Sequence, residues 1–489
     1  PPFYRIIGFY NRYFPYGLTI LATVLKNAGY DAVVYDADFI TQEAEDVDIS
    51  DLEPSYNKYI EVVNKKDAQI WKEMKEFIKR YSPDIVCISC WTTFIASTFR
   101  VAELVKELDK NTPVIVGGPH ATLKPKEILE SNCVDYIVFG EGEDTMYELV
   151  ESLTKNPNKK PSGVKGIYYK TKGRMHNGGK RDFKKNMDEI PIADRSLLLN
   201  EKKYSLEDMG LLMTSRGCPF NCSYCATSIW ERKVRYHSIN RVIKEIETVK
   251  KLYKTTHFSI KDDTFTLNKE RVKAFCKELK KRKLKITWDC NARVNLIDLN
   301  MLKIMKKAGC TGIKVGIESG SEKILKLMNK GITKKQIIQS ARILRESGIH
   351  WTAYFMMGLP DETKEDMLKT LNLMRKIKPD YASLSVYEVF PGTALFDYGV
   401  RLGLVKEHMN IKDYFQTLPH NYYYKGGIRQ TNTMSIKEFE KMEIFMKKEF
   451  ERYNRGIRNI LKRIKSRRKM YTRNPLNILD DFKKFIKWY

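Results

Sequence analysis

Three cysteines stand within eight residues of this chain, at Cys218, Cys222 and Cys225. A C-x3-C-x2-C spacing is short, so the segment must form a loop if all three sulfurs are to point at one centre. Gly217 and Pro219, which flank the first cysteine, favour tight turns. Clustered thiolates select an iron–sulfur cluster or zinc over a hard cation. A structural zinc site or a four-cysteine cluster needs a fourth ligand, and no further Cys or His lies close enough in sequence to be an obvious one.

The nearest histidine, His237, is interpreted as an ordinary polar residue before the next helix. Three protein ligands on a four-iron cluster leave one iron open, which suits an enzyme whose substrate binds the metal directly. The cysteine loop resembles the cluster motif of radical S-adenosylmethionine (SAM) enzymes, in which SAM chelates the open iron. The alternative is a zinc knuckle or a set of buried thiols.

The residues after this loop alternate between short apolar strands and amphipathic helices. Six β/α units predict a partial barrel over residues 209–400, and such barrels place their sites at the carboxyl ends of the strands. The predicted strands cover residues 211–214, 257–261, 285–290, 312–317, 351–357 and 383–388.

Polar residues and a glycine follow these strands, and the resemblance implies roles for them toward SAM. Arg293 would pair with the SAM carboxylate, Glu318 and Ser319 would contact its ribose or amino group, and Asp262 or Asp263 would face its ammonium. The glycine would allow adenosine to approach closely. The alternative for each charged residue is a solvated strand end or an ion pair inside the barrel. The predicted SAM-binding residues are Asp262, Asp263, Arg293, Glu318, Ser319 and Gly358.

Residues 1–153 also alternate between strands and helices, which predicts a doubly wound, Rossmann-like parallel sheet. Such sheets bind ligands beyond the carboxyl ends of their strands. Polar or glycine-rich stretches fall there, at residues 89–93, 117–122 and 140–143. No G-x-G-x-x-G follows the first strand, so a nicotinamide or flavin dinucleotide is not expected.

The stretches Gly-Gly-Pro-His-Ala-Thr at 117–122 and Gly-Glu-Gly-Glu at 140–143, placed before the cysteine loop, resemble the cobalamin-binding domain of cobalamin-dependent radical SAM enzymes. The resemblance covers residues 1 to about 400. The Asp-x-His-x-x-Gly motif that supplies a histidine to cobalt elsewhere is absent, since no glycine stands three residues after His120. The resemblance therefore implies cobalamin without a protein histidine on cobalt, and His120 as a loop residue near the ligand. The predicted cobalamin-binding residues are Ser89, Trp91, Thr92, Gly117, Gly118, His120, Gly140, Glu141 and Gly142.

Four segments follow: a cobalamin-binding domain at 1–153 whose first strand is expected before Pro1, a linker at 154–208, the barrel at 209–400, and a basic helical region at 401–489. In the last segment a capping box at Ser435 opens an amphipathic helix, which we expect to pack on the barrel. The stretches beyond it mix basic and aromatic residues. Their composition is compatible with binding to an anionic membrane surface, with binding to RNA, and with a solvated tail that binds neither.

The composition limits the class of protein. The 489 residues carry 87 Lys and Arg against 60 Asp and Glu, a net charge of +27. This excess indicates nucleic-acid binding, attraction to an anionic membrane, or only a lysine-rich proteome. Nine cysteines, three of them clustered, indicate a reducing cytoplasm. No run of about 18 apolar residues is present to span a membrane.

The family resemblance implies a cytoplasmic enzyme, peripheral to the membrane if the tail binds one. It would use a [4Fe-4S] cluster, SAM and cobalamin, with a flavodoxin-type or ferredoxin-type electron donor. The expected reaction is C-methylation of an unactivated carbon on a small-molecule or lipid substrate. A cyclisation or oxidative rearrangement without methyl transfer, as in the anaerobic magnesium-protoporphyrin monomethyl ester cyclase, is the first alternative. A tRNA-modifying radical SAM enzyme is the second, which the absence of another three-cysteine set disfavours. A cobalamin carrier is the third.

Overall fold

The computed structural model describes residues 1–9, 13–39, 52–157, 159–457, 459 and 462. They form two compact units. The first unit contains Pro1–Thr256 and Glu388–Asn432, and the second contains His257–Tyr387 and the described residues from Thr433 onward. The division into the segments 1–153, 154–208, 209–400 and 401–489 stays a prediction.

The first unit has a five-stranded sheet in the order β1-β2-β3-β4-β5. The first three strands are parallel, and β4 and β5 extend the sheet as an antiparallel hairpin. Its strands are β1 Val86–Ser89, β2 Val114–Gly117, β3 Tyr136–Val138, β4 Ile167–Thr171 and β5 Arg174–Asn177. Three two-residue strands follow in the same unit, β6 Leu211–Leu212, β7 Ser215–Arg216 and β8 Arg235–Tyr236.

Helices cover this sheet, and apolar side chains such as Ile115, Leu149 and Ile167 form a buried core between the sheet and the helix Glu143–Lys155. The helices of the first unit are Tyr4–Ile7, Tyr16–Asn27, Leu52–Asn64, Gln69–Tyr81, Ile95–Leu108, Pro119–Leu123, Pro125–Leu129, Glu143–Lys155, Ile239–Tyr253, Ala394–Arg401 and Ile411–Gln416.

The sequence also predicts a strand over Asp31–Tyr35 and a small hairpin from Gly166–Lys170 and the residues after Arg174, and these two predictions have different outcomes. A strand expected over residues 31–35 is wrong, because Val34 makes only one isolated bridge, with Leu198. Val34 is 5% exposed and Val33 is 46% exposed, so the segment buries Val34 without forming a strand ladder. The hairpin expected near residues 166–177 is confirmed, and Lys172 and Gly173 turn it with positive φ angles of 47° and 77°.

The second unit has a parallel sheet in which β9 to β13 follow one another in space. These strands are β9 His257–Ile260, β10 Thr287–Arg293, β11 Cys310–Glu318, β12 His350–Met357 and β13 Tyr381–Val386. Its helices are Lys269–Lys281, Leu299–Lys307, Glu322–Leu327, Lys334–Ser347, Lys364–Ile377 and Ile436–Arg455. Five of the six predicted barrel strands are thus found here. The remaining one is β6, in the first unit.

The local sequence predicts an N-cap at Ser238 and capping boxes that begin at Thr333 and Ser435. Ser238 caps the helix Ile239–Tyr253 by accepting from the amide of Arg241 at 3.1 Å, as predicted. The capping boxes opened by Thr333 and Ser435 are both formed, also as predicted.

The C-terminal helix Ile436–Arg455 packs within the second unit through an apolar stripe, as expected. Phe439, Met446 and Phe450 are buried, and the Phe450 ring meets Phe355 edge-on at 5.2 Å between centroids. Ile457, expected to continue the stripe, is 75% exposed because the helix ends at Arg455. The basic and aromatic stretches predicted beyond it lie outside the described residues, apart from residues 455–457, 459 and 462. Within the described ranges, no helix is long and apolar enough to cross a membrane.

Candidate active site

The cysteine loop is closed at its base by a short antiparallel ladder. Strands β7 and β8 pair Ser215 with Tyr236 and Arg216 with Arg235, so the chain leaves and re-enters at one point. Gly217 turns the chain away from this ladder with φ at +90°. A Cβ there would lie 2.1 Å from the carbonyl oxygen of Lys233, so only glycine fits the turn.

All three thiols of the loop are half-buried and reduced. The amide of Cys225 donates to the carbonyl oxygen of Cys222 at 3.1 Å, and Cys225 Sγ lies 3.3 Å from Thr227 Oγ1. Among the described residues, no three His, Cys, Asp or Glu side chains already stand in a metal-holding arrangement. The donor set, three soft ligands on a tightly turned loop, fits an iron–sulfur cluster.

Two arginines beside this loop bind the Gly-Glu-Gly-Glu turn that follows β3. Glu141 accepts from Arg235 Nη1 and Nη2 at 2.8 Å and from Arg216 Nη1 at 2.8 Å. Arg216 Nη2 donates to Glu143 at 2.5 Å. We call these four side chains the clasp. It ties the turn after β3 to the base of the cysteine loop, through pairs of residues that are 73 to 94 positions apart.

The clasp is a buried charge cluster. The side chains of Glu141 and Glu143 are 7% and 8% exposed, and those of Arg216 and Arg235 are 14% and 11% exposed. Burial raises the pKa of Glu141, but hydrogen bonds from Arg235 and the charge of Arg216 outweigh it, so the pKa falls below its usual value. The pKa of Arg216 is raised because its two carboxylate partners outweigh desolvation. Both residues stay charged.

The other predicted cobalamin residues lie at the carboxyl ends of β1, β2 and β3, as the sheet predicts. Ser89 ends β1 and pairs in register with Gly117, which ends β2. Trp91 follows with its side chain 54% exposed, whereas Thr92 is buried. The exposed indole is an apolar surface at the edge where the doubly wound fold binds ligands.

Three other glycines at this edge have different surroundings. A Cβ on Gly118 would lie 2.8 Å from the Cys90 carbonyl oxygen, and one on Gly142 would lie 3.2 Å from the Leu21 side chain. Both positions therefore need glycine because neighbouring residues of the first unit pack closely against them. Gly140 has φ at +76°, and a Cβ added to it would meet nothing within 4 Å, so it is the glycine of the three that leaves open space.

His120 is fully buried in the first unit. Its Nδ1 lies 3.0 Å from Thr92 Oγ1, and its Nε2 lies 3.9 Å from Glu127 Oε2. Burial and then the charge of Lys124 lower the pKa of His120 to about 3, so the ring is neutral. Nε2 is buried and has no hydrogen-bond partner among the described residues, and cobalamin without a protein histidine on cobalt stays a prediction.

In the second unit, the predicted SAM residues follow β9, β10, β11 and β12. Asp262 is buried and Asp263 is exposed, and the carbonyl oxygen of Asp262 accepts from Asn291 Nδ2 at 3.1 Å. Arg293 ends β10 with 7% exposure. These polar groups share the carboxyl edge of one parallel sheet, as predicted.

Glu318 ends β11 and forms an ion pair inside its unit, which is the alternative that the sequence left open for it, with a partner that the sequence did not identify. Its Oε1 accepts from Lys330 Nζ at 2.6 Å, and both side chains are 8% exposed. The backbone of Glu318 has φ at +67°, and the register with β12 shifts between Gly316 and Glu318.

Ser319 and Gly358 are each held by groups of the same unit. The Ser319 hydroxyl lies 3.1 Å from Thr370 Oγ1 and is fully buried. The space beside Gly358 is filled by the Phe439 ring, which would lie 2.9 Å from a Cβ at that position. Glu362 Oε2 accepts from the amide of Gly358 at 2.6 Å, and burial raises the pKa of Glu362 to about 8.

Sequence reasoning missed Arg216, Arg235, Lys330 and Glu362. The arginine pair carried a weak signal, because both residues immediately flank the cysteine loop. Lys330 and Glu362 carried none, since each is one charged residue in a lysine-rich turn or an acidic turn. The predicted contacts to SAM and cobalamin stay predictions.

Family models match both regions of the chain. The radical SAM superfamily matches residues 212–374, and the B12 binding domain matches residues 6–150. Together these ranges include the cysteine loop, the clasp and the carboxyl ends of β1 to β3 and of β9 to β12.

Individual relatives match across both regions. An uncharacterized methyltransferase of Pyrococcus horikoshii is 35% identical over 394 residues, which cover 80% of this chain and 79% of the relative. The anaerobic magnesium-protoporphyrin IX monomethyl ester cyclase of Cereibacter sphaeroides is 30% identical over 335 residues, 66% of this chain and 54% of the cyclase. The solved structure of the radical SAM methyltransferase TsrM from Kitasatospora setae, with cobalamin and a [4Fe-4S] cluster bound, has a TM-score of 0.63 and 18% identity over 81% of this chain and 78% of that chain. This last likeness concerns the fold.

Proposed function

The chain belongs to the cobalamin-dependent radical SAM enzymes, and we propose that within this family it transfers a methyl group to an unactivated carbon of its substrate. Family membership confirms the resemblance drawn from the cysteine loop and the α/β fold class with its two cofactor-binding domains. The protein is an enzyme whose cofactors are a [4Fe-4S] cluster, SAM and cobalamin.

The observation that supports methyl transfer most is the extent of similarity to the Pyrococcus horikoshii methyltransferase. At 35% identity over 80% of this chain, it includes the cobalamin-type sheet as well as the cysteine loop. The clasp adds a structural reason to keep the two together, because Glu141 and Arg235 join the sheet edge to the loop. An enzyme that needs radical generation and a methyl donor at once requires both regions.

When bound, the cluster and SAM supply a hydrogen-abstracting radical, and cobalamin supplies the methyl group. The chain's own residues position these groups. Cys218, Cys222 and Cys225 would hold the cluster, Arg293 would pair with the SAM carboxylate, and Gly140 would admit the corrin. Arg293, Glu318 and Ser319 are buried, and exclusion of water around them would protect reactive species from side reactions.

The products of SAM distinguish methyl transfer from its alternative. Methyl transfer consumes two SAM molecules per turnover and yields 5′-deoxyadenosine and S-adenosylhomocysteine in equal amounts, with the methyl carbon in the product. We would incubate the anaerobically reconstituted enzyme with methyl-deuterated SAM and a reductant. Substrate would come from separate lipid and water-soluble cell extracts. Label in a product would support methyl transfer, whereas 5′-deoxyadenosine with no S-adenosylhomocysteine would contradict it.

We further propose a lipid or membrane-associated substrate. The supporting features are the basic and aromatic stretches near the C-terminus and the net charge of +27. Cosedimentation with phosphatidylglycerol vesicles, but not with phosphatidylcholine vesicles, is the expected result. A chain ending at residue 457 is the control and should stay in the supernatant. Labelled product from the water-soluble extract alone would overturn this part of the proposal.

The same positive charge favours an acidic electron donor of the flavodoxin or ferredoxin type. Reduction of the cluster by flavodoxin should slow as salt rises, because screening weakens long-range attraction. A rate that is independent of salt would argue against charge steering.

A cyclisation or oxidative rearrangement is the second candidate, supported by 30% identity to the cyclase of Cereibacter sphaeroides. This chain covers 54% of that protein, so the likeness leaves much of the cyclase unmatched. The tRNA-modifying alternative would require strong, salt-dependent RNA binding. We do not favour it.

A further inference from the structure

The C-terminal helix Ile436–Arg455 lies beside another helix of the second unit, and two ion pairs join them. Lys364 pairs with Glu438 at 3.5 Å, and Arg375 pairs with Glu449. Both pairs join residues that are 74 positions apart, so the two helices run in the same direction. The surface between the two ion pairs therefore belongs to both helices.

Three apolar side chains between these ion pairs are exposed. Leu368, on the helix Lys364–Ile377, is 40% exposed, and Ile444 and Phe445, on the C-terminal helix, are 67% and 41% exposed. Each of the three lies, in sequence, between the two ion-paired residues of its own helix. Single exposed apolar residues are common on protein surfaces, but a group of them is typical of an interaction surface.

Basic residues flank Ile444 and Phe445 along the helix. Lys441 precedes these two residues by three and four positions, and Lys448 follows them by three and four, so their side chains are neighbours on the helix surface. Further basic residues continue the series by one turn in each direction. We call the following six exposed residues the basic ridge: Lys437, Lys441, Ile444, Phe445, Lys448 and Arg452.

The basic ridge carries two energetic costs for the protein on its own. Lys437, Lys441 and Lys448 make no ion pair in the described part of the chain, and like charges four positions apart destabilise a helix. Exposed Ile444 gains nothing from burial. Glu440, an exposed carboxylate of the same helix, offsets only part of the charge. An external surface that is anionic and has an apolar interior would relieve both costs.

The sequence after this helix has the same sign of charge. Residues 456–479 contain eight Lys or Arg and no Asp or Glu. One weak membrane signal gives only reversible attachment, whereas a basic stretch and an apolar contact together give stable attachment. Lysine stems lie along apolar surface with their ammonium groups among lipid headgroups, which lets Ile444 reach the acyl chains. RNA would attract the cations but would offer Ile444 no apolar environment.

We propose that the basic ridge is a docking surface for an anionic lipid bilayer, with Ile444 and Phe445 inserted among the headgroups. The proposal names the face of the second unit that meets the membrane. It rests on the proposed function insofar as the substrate comes from that membrane. Docking itself does not depend on the reaction.

The first test measures partitioning of the full-length, reconstituted enzyme onto vesicles of phosphatidylglycerol and phosphatidylcholine, without reductant. Ile444→Asp should weaken partitioning about tenfold or more, because a large aliphatic side chain no longer enters the apolar layer. Its urea midpoint should match that of the wild type, because Ile444 is exposed. Leu206→Asp is the matched control, since Leu206 is 58% exposed in the first unit, and it should partition as the wild type does.

The second test removes charge and leaves the apolar side chains in place. Lys441→Gln/Lys448→Gln should weaken partitioning about tenfold, because each lysine near an anionic surface contributes to attraction. Lys277→Gln/Lys281→Gln is the control, since it removes the same charge from exposed positions of the helix Lys269–Lys281 in the same unit. Its partitioning should change by less than about twofold, because charges away from the membrane are screened.

Wild-type partitioning of Ile444→Asp, or an equal loss in either control, would overturn the proposal. A wild-type dimer that Ile444→Asp dissociates, with partitioning unchanged, would instead make the ridge a contact between two copies of the chain. RNA binding that requires Lys441 and Lys448, with partitioning independent of both, would make RNA the partner. These measurements need no turnover, so a failed methyl-transfer assay would leave their results unchanged.

Discussion

Two predicted ligand carboxylates, one in each unit, have different surroundings. Glu141 in the clasp is bound by two arginines, with both oxygens accepting from guanidinium groups. Glu318 Oε1 accepts from Lys330 Nζ at 2.6 Å, and the backbone of Glu318 is left-handed with φ at +67°. Glu141 follows β3 and Glu318 is the last residue of β11, so each stands at the carboxyl end of a parallel strand.

The difference separates two uses of a buried carboxylate. Planar guanidinium groups bind carboxylates in two-point contacts that fix two chain segments together. Glu141 thus joins elements distant in sequence. A single ammonium group makes a one-point contact and does not impose the planar geometry of a guanidinium pair. Glu362 is a third case, bound by two backbone amides, and it makes no ion pair in the described part of the chain.

Breaking the clasp should have the largest effect on folding. Glu141→Leu leaves two buried arginines with only Glu143 between them, so the free energy of unfolding should fall by about 3–5 kcal/mol. Iron bound after reconstitution should fall as well, because the base of the cysteine loop loses its anchor. Urea unfolding and an iron assay measure the two effects. Glu151→Leu, in the exposed pair with Lys155, is the control and should match the wild type. If Glu141→Leu unfolds at the wild-type urea midpoint and binds as much iron as the wild type, the clasp contributes no more to stability than an exposed ion pair does.

Glu362 should make stability depend on pH. Its folded pKa of about 8 lies above its unfolded value near 4.5, because burial disfavours the charged form. The folded state therefore holds a proton that the unfolded state releases. Stability from this group is present below about pH 4.5 and declines by up to about 1.4 kcal/mol per pH unit toward pH 8. Glu362→Gln should flatten that decline in urea titrations between pH 5 and 8. The same slope in the variant would show that Glu362 ionises normally.

His120 should act as a neutral core residue. His120→Asn should lower the free energy of unfolding by about 1–3 kcal/mol, since Thr92 loses a buried partner. The absorption spectrum of bound cobalamin should stay the same. Because burial holds the pKa of His120 near 3, well below the unfolded value of 6.5, the wild type should also lose stability as pH falls through that interval. A changed cobalt spectrum would place the ring on the metal after all.

The smallest effect is expected at the exposed pair of Lys364 and Glu438, 3.5 Å apart, with side chains 49% and 50% exposed. Lys364→Met should leave both the urea midpoint and SAM affinity at wild-type values, because solvent screens such pairs. A lower urea midpoint or weaker SAM binding in Lys364→Met would contradict the expected difference between buried and exposed ion pairs.

Local sequence determined much of this protein. The cysteine spacing, the β/α alternation and the caps at Ser238, Thr333 and Ser435 involve residues a few positions apart, so their hydrogen bonds follow from neighbouring residue types. Strand ends were predictable too, because parallel strands bring their carboxyl ends to one edge.

Tertiary structure alone decided what those strand-end residues touch. Glu141 meets Arg235 across 94 residues, and Phe439 fills the space beside Gly358 from a helix that follows much later in the chain. Lys330 is only 12 residues from Glu318, yet their contact depends on a left-handed backbone and on the missing Cβ of Gly316. Charge partners of this kind are set by close packing of distant segments, and residue type and spacing do not carry that information.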